Sequence, residues 1–309
     1  MVAFSYHRVA ASSTTSSTPL SATAETLQRQ LRLLRRHCEV LTPDQLSEQE
    51  LLQPGRRVMV TVDDCYRDSY EVAFPIFVAN GIRATFFLVS GFVDGTATPW
   101  WDEIAWMVVS SERDRLDPSE WWDTALPLHG LRAPSTVKRL VRLRRCLPPS
   151  RGDDMLAHLA SATGSGRRPP ECTAEEFVTW DMAREMAAAG MSFGGHTDTH
   201  PVLTTLPARH QQAEIEHSLA RIGTELGARP TTFAYPVGYR ETFDASTKAA
   251  AATAGVRRAF SNYGGYTRPS NWDPLDIRRV GVGQSTSEAA FRWTLGLPAL
   301  FAPRWSSAR

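Results

Sequence analysis

Short apolar runs alternate with helical patterns along this chain, and that alternation restricts the possible fold more than any other feature of the sequence. The apolar run at residues 58–62 is followed by a helical pattern at 69–79 and, after Gly81, by a second apolar run at 84–89. β-Branched and aromatic residues favour strands, and two strands separated by a helix are typical of a parallel sheet. The sequence therefore predicts a parallel α/β fold.

The same alternation is found towards both ends of the chain. Near the start, the sequence predicts a strand at residues 2–6 and a helix at 24–38. In the second half it predicts helices at 181–189, 207–226 and 246–254, and strands at 191–194, 231–234 and 259–260. In parallel α/β folds the chemistry lies at the carboxyl ends of the strands, so polar motifs at those ends are the candidates for a site.

One long segment interrupts the alternation. It contains tryptophan pairs at 100–101 and 121–122, a basic helical pattern at 138–145 and a Gly/Ser/Arg/Pro-rich stretch at 164–170. We interpret residues 1–309 as a single domain with a helical insertion at about residues 96–180.

Charge and cysteine content exclude several classes of partner and fold. The 34 Lys and Arg residues nearly balance the 33 Asp and Glu residues, leaving a net charge of +1, so the sequence predicts no nucleic-acid partner. No apolar run approaches the roughly 20 residues that a membrane span requires. The four cysteines form no C-x-x-C pair, which argues against a zinc ribbon or a disulfide framework. With no leader-like pattern at the N-terminus, we predict a cytoplasmic protein.

Asp63 and Asp64 end the apolar run at residues 58–62. Adjacent carboxylates repel each other unless a cation binds one of them or they share a proton. A metal ligand and a general base can be formed in this way from neighbouring residues. The alternative is a helix N-cap followed by a solvated turn.

Two histidines, His196 and His200, follow the glycines that end a later strand. If this segment turns helically, the spacing of four residues lets both rings face one point, as in other H-x-x-x-H metal sites. The alternative is a chance pair of surface histidines. Together with Asp64 they form a set that suits Zn²⁺, or Co²⁺, Ni²⁺ or Fe²⁺, with positions left open for water and substrate.

A third polar motif, Phe-Ala-Tyr-Pro-Val-Gly at residues 233–238, ends another predicted strand. A backbone N–H in such a turn can point into a cleft and stabilise an oxyanion, although the turn can equally be structural.

Four segments together resemble successive motifs of one family. They are Thr-Val-Asp-Asp-Cys-Tyr-Arg-Asp at 61–68, Ala-Thr-Phe-Phe-Leu at 84–88, His-Thr-Asp-Thr-His-Pro at 196–201 and Ala-Tyr-Pro-Val-Gly at 234–238. In this order they are similar to the motifs of the polysaccharide deacetylase (NodB-homology) family, carbohydrate esterase family 4, and the similarity extends from residue 6 to about residue 282. The resemblance implies a distorted (β/α)₇ TIM-like barrel.

The resemblance also implies roles for individual residues. By position, Asp63 is the general base, and Asp64, His196 and His200 are the metal ligands. The backbone amide of Val237 is implied as an oxyanion donor. The implied reaction is metal-dependent hydrolysis of the linear amide of an N-acetylated amino sugar, with release of acetate.

The chain departs from the family pattern at several positions. Cys65 replaces the usual Gly after the two aspartates, and Ala234 replaces an Arg that orients the base in many members. Arg279, from the segment Ile-Arg-Arg-Val at 277–280, is the candidate to replace that Arg. The late Leu-x-His motif that supplies a general acid is absent, so His7 is the candidate acid; its alternative is a histidine fixed in the core or in a loop.

The sequence thus predicts a metal-dependent deacetylase, with Zn²⁺ as the most suitable ion. Its substrate is an N-acetylated carbohydrate or glycoconjugate: an oligo- or polysaccharide, a glycan precursor or a glycosylated metabolite. The alternatives are a cyclic amide hydrolase on the same barrel and a non-catalytic carbohydrate-binding relative. The sequence makes no prediction of the oligomeric state.

Overall fold

A computed structural model describes residues 1–11, 21–169, 173 and 175–302. The strands are β1 (Val2–Tyr6), β2 (Arg8–Ala10), β3 (Ser21–Thr23), β4 (Glu39–Val40), β5 (Arg57–Asp64), β6 (Thr85–Leu88), β7 (Arg115–Leu116), β8 (Leu126–Pro127), β9 (Ser192–Gly195), β10 (Thr232–Ala234), β11 (Arg258–Ser261) and β12 (Ile277–Gly281).

The α-helices are α1 (Ala24–His37), α2 (Glu48–Leu52), α3 (Phe74–Ala79), α4 (Ser90–Val93), α5 (Trp100–Val109), α6 (Ala133–Arg145), α7 (Pro149–Thr163), α8 (Trp180–Ala188), α9 (Ala208–Leu226), α10 (Ala245–Thr253), α11 (Glu288–Gly296) and α12 (Pro298–Phe301). Short 3₁₀ helices lie at Pro43–Gln45, Gly130–Arg132, Leu203–Thr205 and Pro269–Asn271, and a π-helical turn, Ser69–Ala73, leads into α3.

Parallel strands close into a barrel in the order β1–β12–β11–β10–β9–β6–β5, and β5 pairs with β1 to complete the ring. The first strand of the chain therefore lies between β5 and the last strand, with Ala3 opposite Met59 on one side and opposite Arg279 on the other. The predicted distorted (β/α)₇ barrel is confirmed. Because all the pairings are parallel, the carboxyl ends of the barrel strands meet at one end.

Alternation along the strands decides which side chains enter the barrel. On β5, Val58, Val60 and Val62 pack outward in the core shared with α1 and α3, whereas Met59 lies in the barrel interior. Successive side chains of a strand point to opposite faces, so Asp63 shares the interior face with Met59. Six of the barrel strands each contribute a residue to the apolar part of the interior. These residues are Ala3, Met59, Phe87, Ala234, Phe260 and Ile277.

The predicted insertion forms a small hydrophobic core of its own. Its helices α5, α6 and α7 bury apolar residues against one another, among them Ile104, Leu140 and Leu159. It also contains an antiparallel strand pair, β7 with β8, that the helical interpretation did not include. Residues 170–172 and 174 of this segment lie outside the described residues. The assignment of residues 1–309 to one domain stays a prediction.

Membrane-spanning helices and thiols can be described only for part of the chain. Within those residues, no helix is both long and apolar enough to cross a bilayer. Cys38, Cys65 and Cys146 are free thiols, and Cys172 lies outside the described part of the chain. The cytoplasmic location stays a prediction.

Gly194 on β9 lies where the barrel wall leaves no room for a side chain. A Cβ atom there would be 2.5 Å from Cε1 of Phe87 and 2.7 Å from Oγ1 of Thr232. We expect Gly194→Ala to lower the free energy of unfolding by about 1–3 kcal/mol, because overpacking forces neighbours to shift. Gly296→Ala, at an exposed helical position with no atom within 4 Å of the added Cβ, is the control. Equal stability of the two variants in urea unfolding would contradict this prediction.

Candidate active site

A buried ion pair lies near the carboxyl end of the barrel. Arg279 donates two hydrogen bonds to Asp63, with Nη1–Oδ1 and Nη2–Oδ2 distances of 2.5 and 2.8 Å. The guanidinium also donates to Oγ1 of Thr61 at 2.9 Å and to the carbonyl of Ser261 at 3.1 Å. Ile277 packs in the barrel interior, and two residues on along β12 Arg279 faces the same interior by alternation. The strand geometry thus places the fully buried Arg279 guanidinium against the Asp63 carboxylate.

This pairing sets the protonation state of Asp63. Burial acts to raise its pKa, but the Arg279 charge and hydrogen bonds, with contributions from His196 and His7, lower the pKa to about 2. Asp63 is therefore ionised at neutral pH, with both oxygens held in place. An ionised and oriented carboxylate is the form that accepts a proton from a nucleophilic water.

Asp64, His196 and His200 converge beside this ion pair. All three are buried, and one potential ligand atom from each lies within 4.8 Å of the others. Oδ1 of Asp64 is 3.5 Å from Nε2 of His196 and 3.5 Å from Nε2 of His200. Two ligands at zinc-type bond lengths of about 2.0–2.1 Å in a tetrahedron stand roughly 3.3–3.4 Å apart. The two distances from Asp64 to the histidines are therefore close to those of ligands on one small cation.

The protonation states of these three residues also suit a cation. Burial, and then the neighbouring charge of Asp63, raises the pKa of Asp64 well above its usual value, so the carboxylate is unfavourable without a positive partner. Burial lowers the pKa of His196 to about 4 and that of His200 well below its usual value. Both rings are neutral at pH 7, as metal ligation requires. Nδ1 of His196 is 2.7 Å from the carbonyl of Ala234, which leaves Nε2 free as the ligand atom.

The two histidines are brought together by a loop. The helical turn that the H-x-x-x-H spacing would require does not form at His196 to His200, because β9 ends at Gly195 and residues 196–200 contain no helix. Thr197 and His200 instead have left-handed φ values of 68° and 58°. The hydroxyl of Thr197 accepts a hydrogen bond from the His200 N–H at 3.0 Å, which closes the turn.

Among the residues that the structure describes, non-glycine residues with left-handed φ lie only at or shortly after the carboxyl ends of β5, β9 and β10. Such conformations cost about 1–3 kcal/mol each and cluster at functional sites. Cys65, at the position where the family usually has Gly, is one of them, which explains that preference for Gly. The non-glycine residues with left-handed φ are Asp64, Cys65, Thr197, His200 and Val237.

His7 and Val237 lie at the same end of the barrel. Nε2 of His7 is 3.8 Å from Oδ2 of Asp63, and burial lowers the pKa of His7 despite the nearby Asp63 charge. Val237 lies in a tight turn, in which the Gly238 N–H donates to the Pro236 carbonyl at 2.6 Å. Within the described chain the Val237 N–H has no hydrogen-bond acceptor, so it remains a free donor at the half-buried turn.

The insertion contributes contacts to this site that sequence reasoning missed. The ring of Trp101 packs edge-on against His200, with centroids 4.6 Å apart. Its indole N–H donates to the Tyr66 hydroxyl at 2.8 Å, and that hydroxyl donates to Asp102 at 2.7 Å. Arg8 completes the network by pairing with Asp102 at 2.8 Å. Nothing in the local pattern of α5 signals that its aromatic residues pack against a candidate metal ligand.

The fold and the site together define an α/β-barrel hydrolase with a candidate metal centre at the carboxyl ends of its strands. Comparison with known proteins specifies the class further. A family model described as polysaccharide deacetylase matches residues 52–141 and 155–259, which is more than half of the chain. The chain belongs to this family and is a hydrolytic enzyme. His7 and Arg279 lie outside the matched ranges, and the geometry alone places their side chains beside Asp63.

Solved structures share the fold at low sequence identity. The deacetylase PplD of Streptococcus pyogenes, solved in complex with acetate, aligns with a TM-score of 0.63 and 18% identity over 98% of each chain. A de-N-acetylase from Aggregatibacter actinomycetemcomitans aligns with a TM-score of 0.59 and 18% identity, over 94% of this chain and 98% of that one. IcaB from Ammonifex degensii gives a TM-score of 0.59 and 19% identity, over 96% and 97%. No curated protein sequence matches the chain.

Proposed function

We propose that this protein removes N-acetyl groups from an amino-sugar-containing substrate and releases acetate, with a divalent ion held by Asp64, His196 and His200. One observation carries the proposal: the buried three-residue cluster and the Asp63–Arg279 ion pair lie together at the catalytic end of the barrel. Family membership supports the deacetylase class. The mixed nitrogen and oxygen ligand set favours Zn²⁺, with Co²⁺, Ni²⁺ or Fe²⁺ as substitutes.

The base in this proposal is Asp63. A bound ion would supply Lewis acidity, which lowers the pKa of water and polarises the acetyl carbonyl. Asp63 takes the proton from the attacking water, since it is ionised and its orientation is fixed by Arg279. Arg279 is a positioning residue, because it acts on the reaction through Asp63.

Two further groups stabilise the oxyanion and protonate the leaving group. The free N–H of Val237 donates to the oxygen that becomes negative, an effect worth roughly 3 kcal/mol for one such donor. His7 donates a proton to the leaving amine. Its Nε2 lies 3.8 Å from Oδ2 of Asp63, too far for a direct hydrogen bond, so a proton passing between base and acid would travel through one bridging water. A histidine of lowered pKa is the stronger acid once it is protonated.

The substrate in this proposal is an N-acetylated carbohydrate or glycoconjugate. The class includes oligo- and polysaccharides, glycan precursors and glycosylated metabolites. The similar solved structures include a de-N-acetylase, which agrees with amide hydrolysis as the reaction.

Removal of the ion tests the proposal directly. We expect acetate release from N-acetylglucosamine oligomers, or from a small acetanilide-type amide, to stop after treatment with a chelator and to return with Zn²⁺ or Co²⁺. His200→Ala should abolish stoichiometric metal binding, because it removes one of three ligands. His210→Ala, which changes an exposed histidine of α9, is the matched control.

The outcomes separate the parts of the proposal. Stoichiometric metal binding without acetate release from any of these substrates would reject N-acetylated sugars of this type and favour another amide, such as a cyclic one. Absence of metal binding by the unmodified protein would contradict the proposed mechanism as a whole.

A further inference from the structure

The loop between the two histidine ligands is held in an unfavourable conformation. Thr197 and His200 both adopt left-handed φ, and for a β-branched residue such as Thr197 this is a rare state. Each such residue costs about 1–3 kcal/mol, so the loop persists only if contacts from outside it compensate. The position of both imidazoles depends on those contacts.

The first set of contacts comes from the start of α4. The Ser90 N–H donates to the Thr197 carbonyl at 3.2 Å, and the Gly91 N–H donates to the Asp198 carbonyl at 2.9 Å. The Ser90 hydroxyl also donates to Oδ1 of Asp198 at 2.6 Å. These hydrogen bonds fix the backbone carbonyls of Thr197 and Asp198 and the side chain of Asp198.

The opposite side of the loop is held by one carboxylate, that of Glu214. Its Oε2 accepts the backbone N–H groups of Asp198 and Thr199, each at 2.9 Å, and its Oε1 accepts the Thr199 hydroxyl at 2.7 Å. Hydrogen bonds to an ionised acceptor are about twice as strong as neutral ones. One side chain thus binds the two amides midway between the metal ligands.

Glu214 is itself held by a rigid element. It lies on α9, a helix of 19 residues whose buried residues include Ile215 and Leu219 beside it in the core. Leu219 also packs at the Gly195 end of β9, directly before the loop. The carboxylate therefore has a fixed position relative to the strand from which the loop leaves.

We infer that Glu214 is a positioning residue of the metal centre: it holds the loop of residues 196–200 in the strained form in which both histidines face the same ion. The inference rests on the proposed metal site. It assigns to α9 a part in metal affinity, although no residue of α9 is among the three ligands.

The test compares Glu214→Ala with Glu214→Gln and Glu216→Ala. Alanine removes all three acceptor contacts, and we expect the dissociation constant for Zn²⁺ to rise about 10–100-fold, as is usual when a group supporting a ligand is lost. Glutamine keeps one oxygen for the two amides and a donor for the Thr199 hydroxyl, so it should retain most of the affinity. Glu216 pairs with Arg229 at 2.8 Å, and its half-exposed side chain serves as the control on the same helix.

Two measurements keep the result interpretable. Zinc affinity is measured by competition with a chromophoric chelator, at a temperature where every variant gives a folded circular dichroism spectrum. Hydrogen exchange in the metal-free proteins should show faster exchange of the Asp198 and Thr199 amides in Glu214→Ala than in Glu214→Gln.

Unchanged zinc affinity of Glu214→Ala beside tight binding by the unmodified protein would overturn this inference alone and leave the proposed function standing. If the unmodified protein bound no zinc, the inference and the proposed metal mechanism would fail together.

Discussion

Replacement of Asp63 by Asn is expected to lower the rate of acetate release about 10²–10⁴-fold, the usual contribution of a general base. Asn has nearly the same shape but cannot take a proton from water. The three groups of the candidate metal site are untouched, so the dissociation constant for Zn²⁺ should change far less than the rate. The measurement is the initial rate of acetate release from metal-loaded protein, beside a zinc titration of the same sample.

The control for this variant is Asp181→Asn, which changes an aspartate whose side chain is 91% exposed on α8. It should leave the rate unchanged. A rate in Asp63→Asn close to that of the unmodified enzyme would assign the base to another group and contradict the proposed role of Asp63.

Loss of Arg279, the cation that pairs with Asp63, should affect the stability of the protein as well as its rate. We expect Arg279→Met to lower the free energy of unfolding by about 3–5 kcal/mol at pH 7, because it leaves Asp63 buried and ionised without a partner. Urea unfolding measures this difference. Arg278→Met is the matched control, since that neighbour lies only half-buried and donates to the Tyr263 hydroxyl at 3.1 Å.

A double variant separates the missing charge from the missing packing. In Arg279→Met with Asp63→Asn the buried anion is gone, so stability should recover part of the loss seen in Arg279→Met alone. If the second substitution only adds to the destabilisation, the ion pair is not the cause of the effect.

The dependence on pH provides a further check with a defined sign. The folded pKa of Asp63, about 2, is below its ordinary value of 3.8. In the unmodified protein the pair therefore contributes its full stability above about pH 4 and loses it as the pH falls towards 2. Without Arg279, burial raises the folded pKa above the ordinary value, and the contribution of Asp63 becomes unfavourable as the pH rises. The stability difference between the two proteins should therefore widen with increasing pH.

Local pattern was sufficient for six of the seven barrel strands, all but β12, and not for the way in which the site is assembled. The apolar run at 58–62 and the aspartates after it predict both β5 and its polar end, because alternation and strand composition are local properties. Arg279 was identified as the partner of Asp63 only through the family resemblance. The contact joins residues 216 positions apart in sequence, and it depends on β12 lying beside β1.

The errors and omissions have the same physical origin. Spacing alone suggested a helical turn for His196 and His200, whereas their convergence comes from left-handed residues that are stabilised by contacts with α4 and α9. Trp101, on α5, contributes by packing against His200. Such contacts connect elements distant in sequence, so a pattern that reports one element at a time does not contain them.

The ring is closed by the first strand of the chain, which lies between β5 and the last barrel strand. During synthesis, β1, β5 and β6 emerge early, but the neighbour on the other side of β1 emerges only with residue 277. Until then one edge of β1 has no strand beside it and the barrel is not closed. Asp63 also has no guanidinium beside it. The barrel is thus expected to close only after β12 has left the ribosome, and chains arrested before β12 should be proteolytically sensitive and inactive.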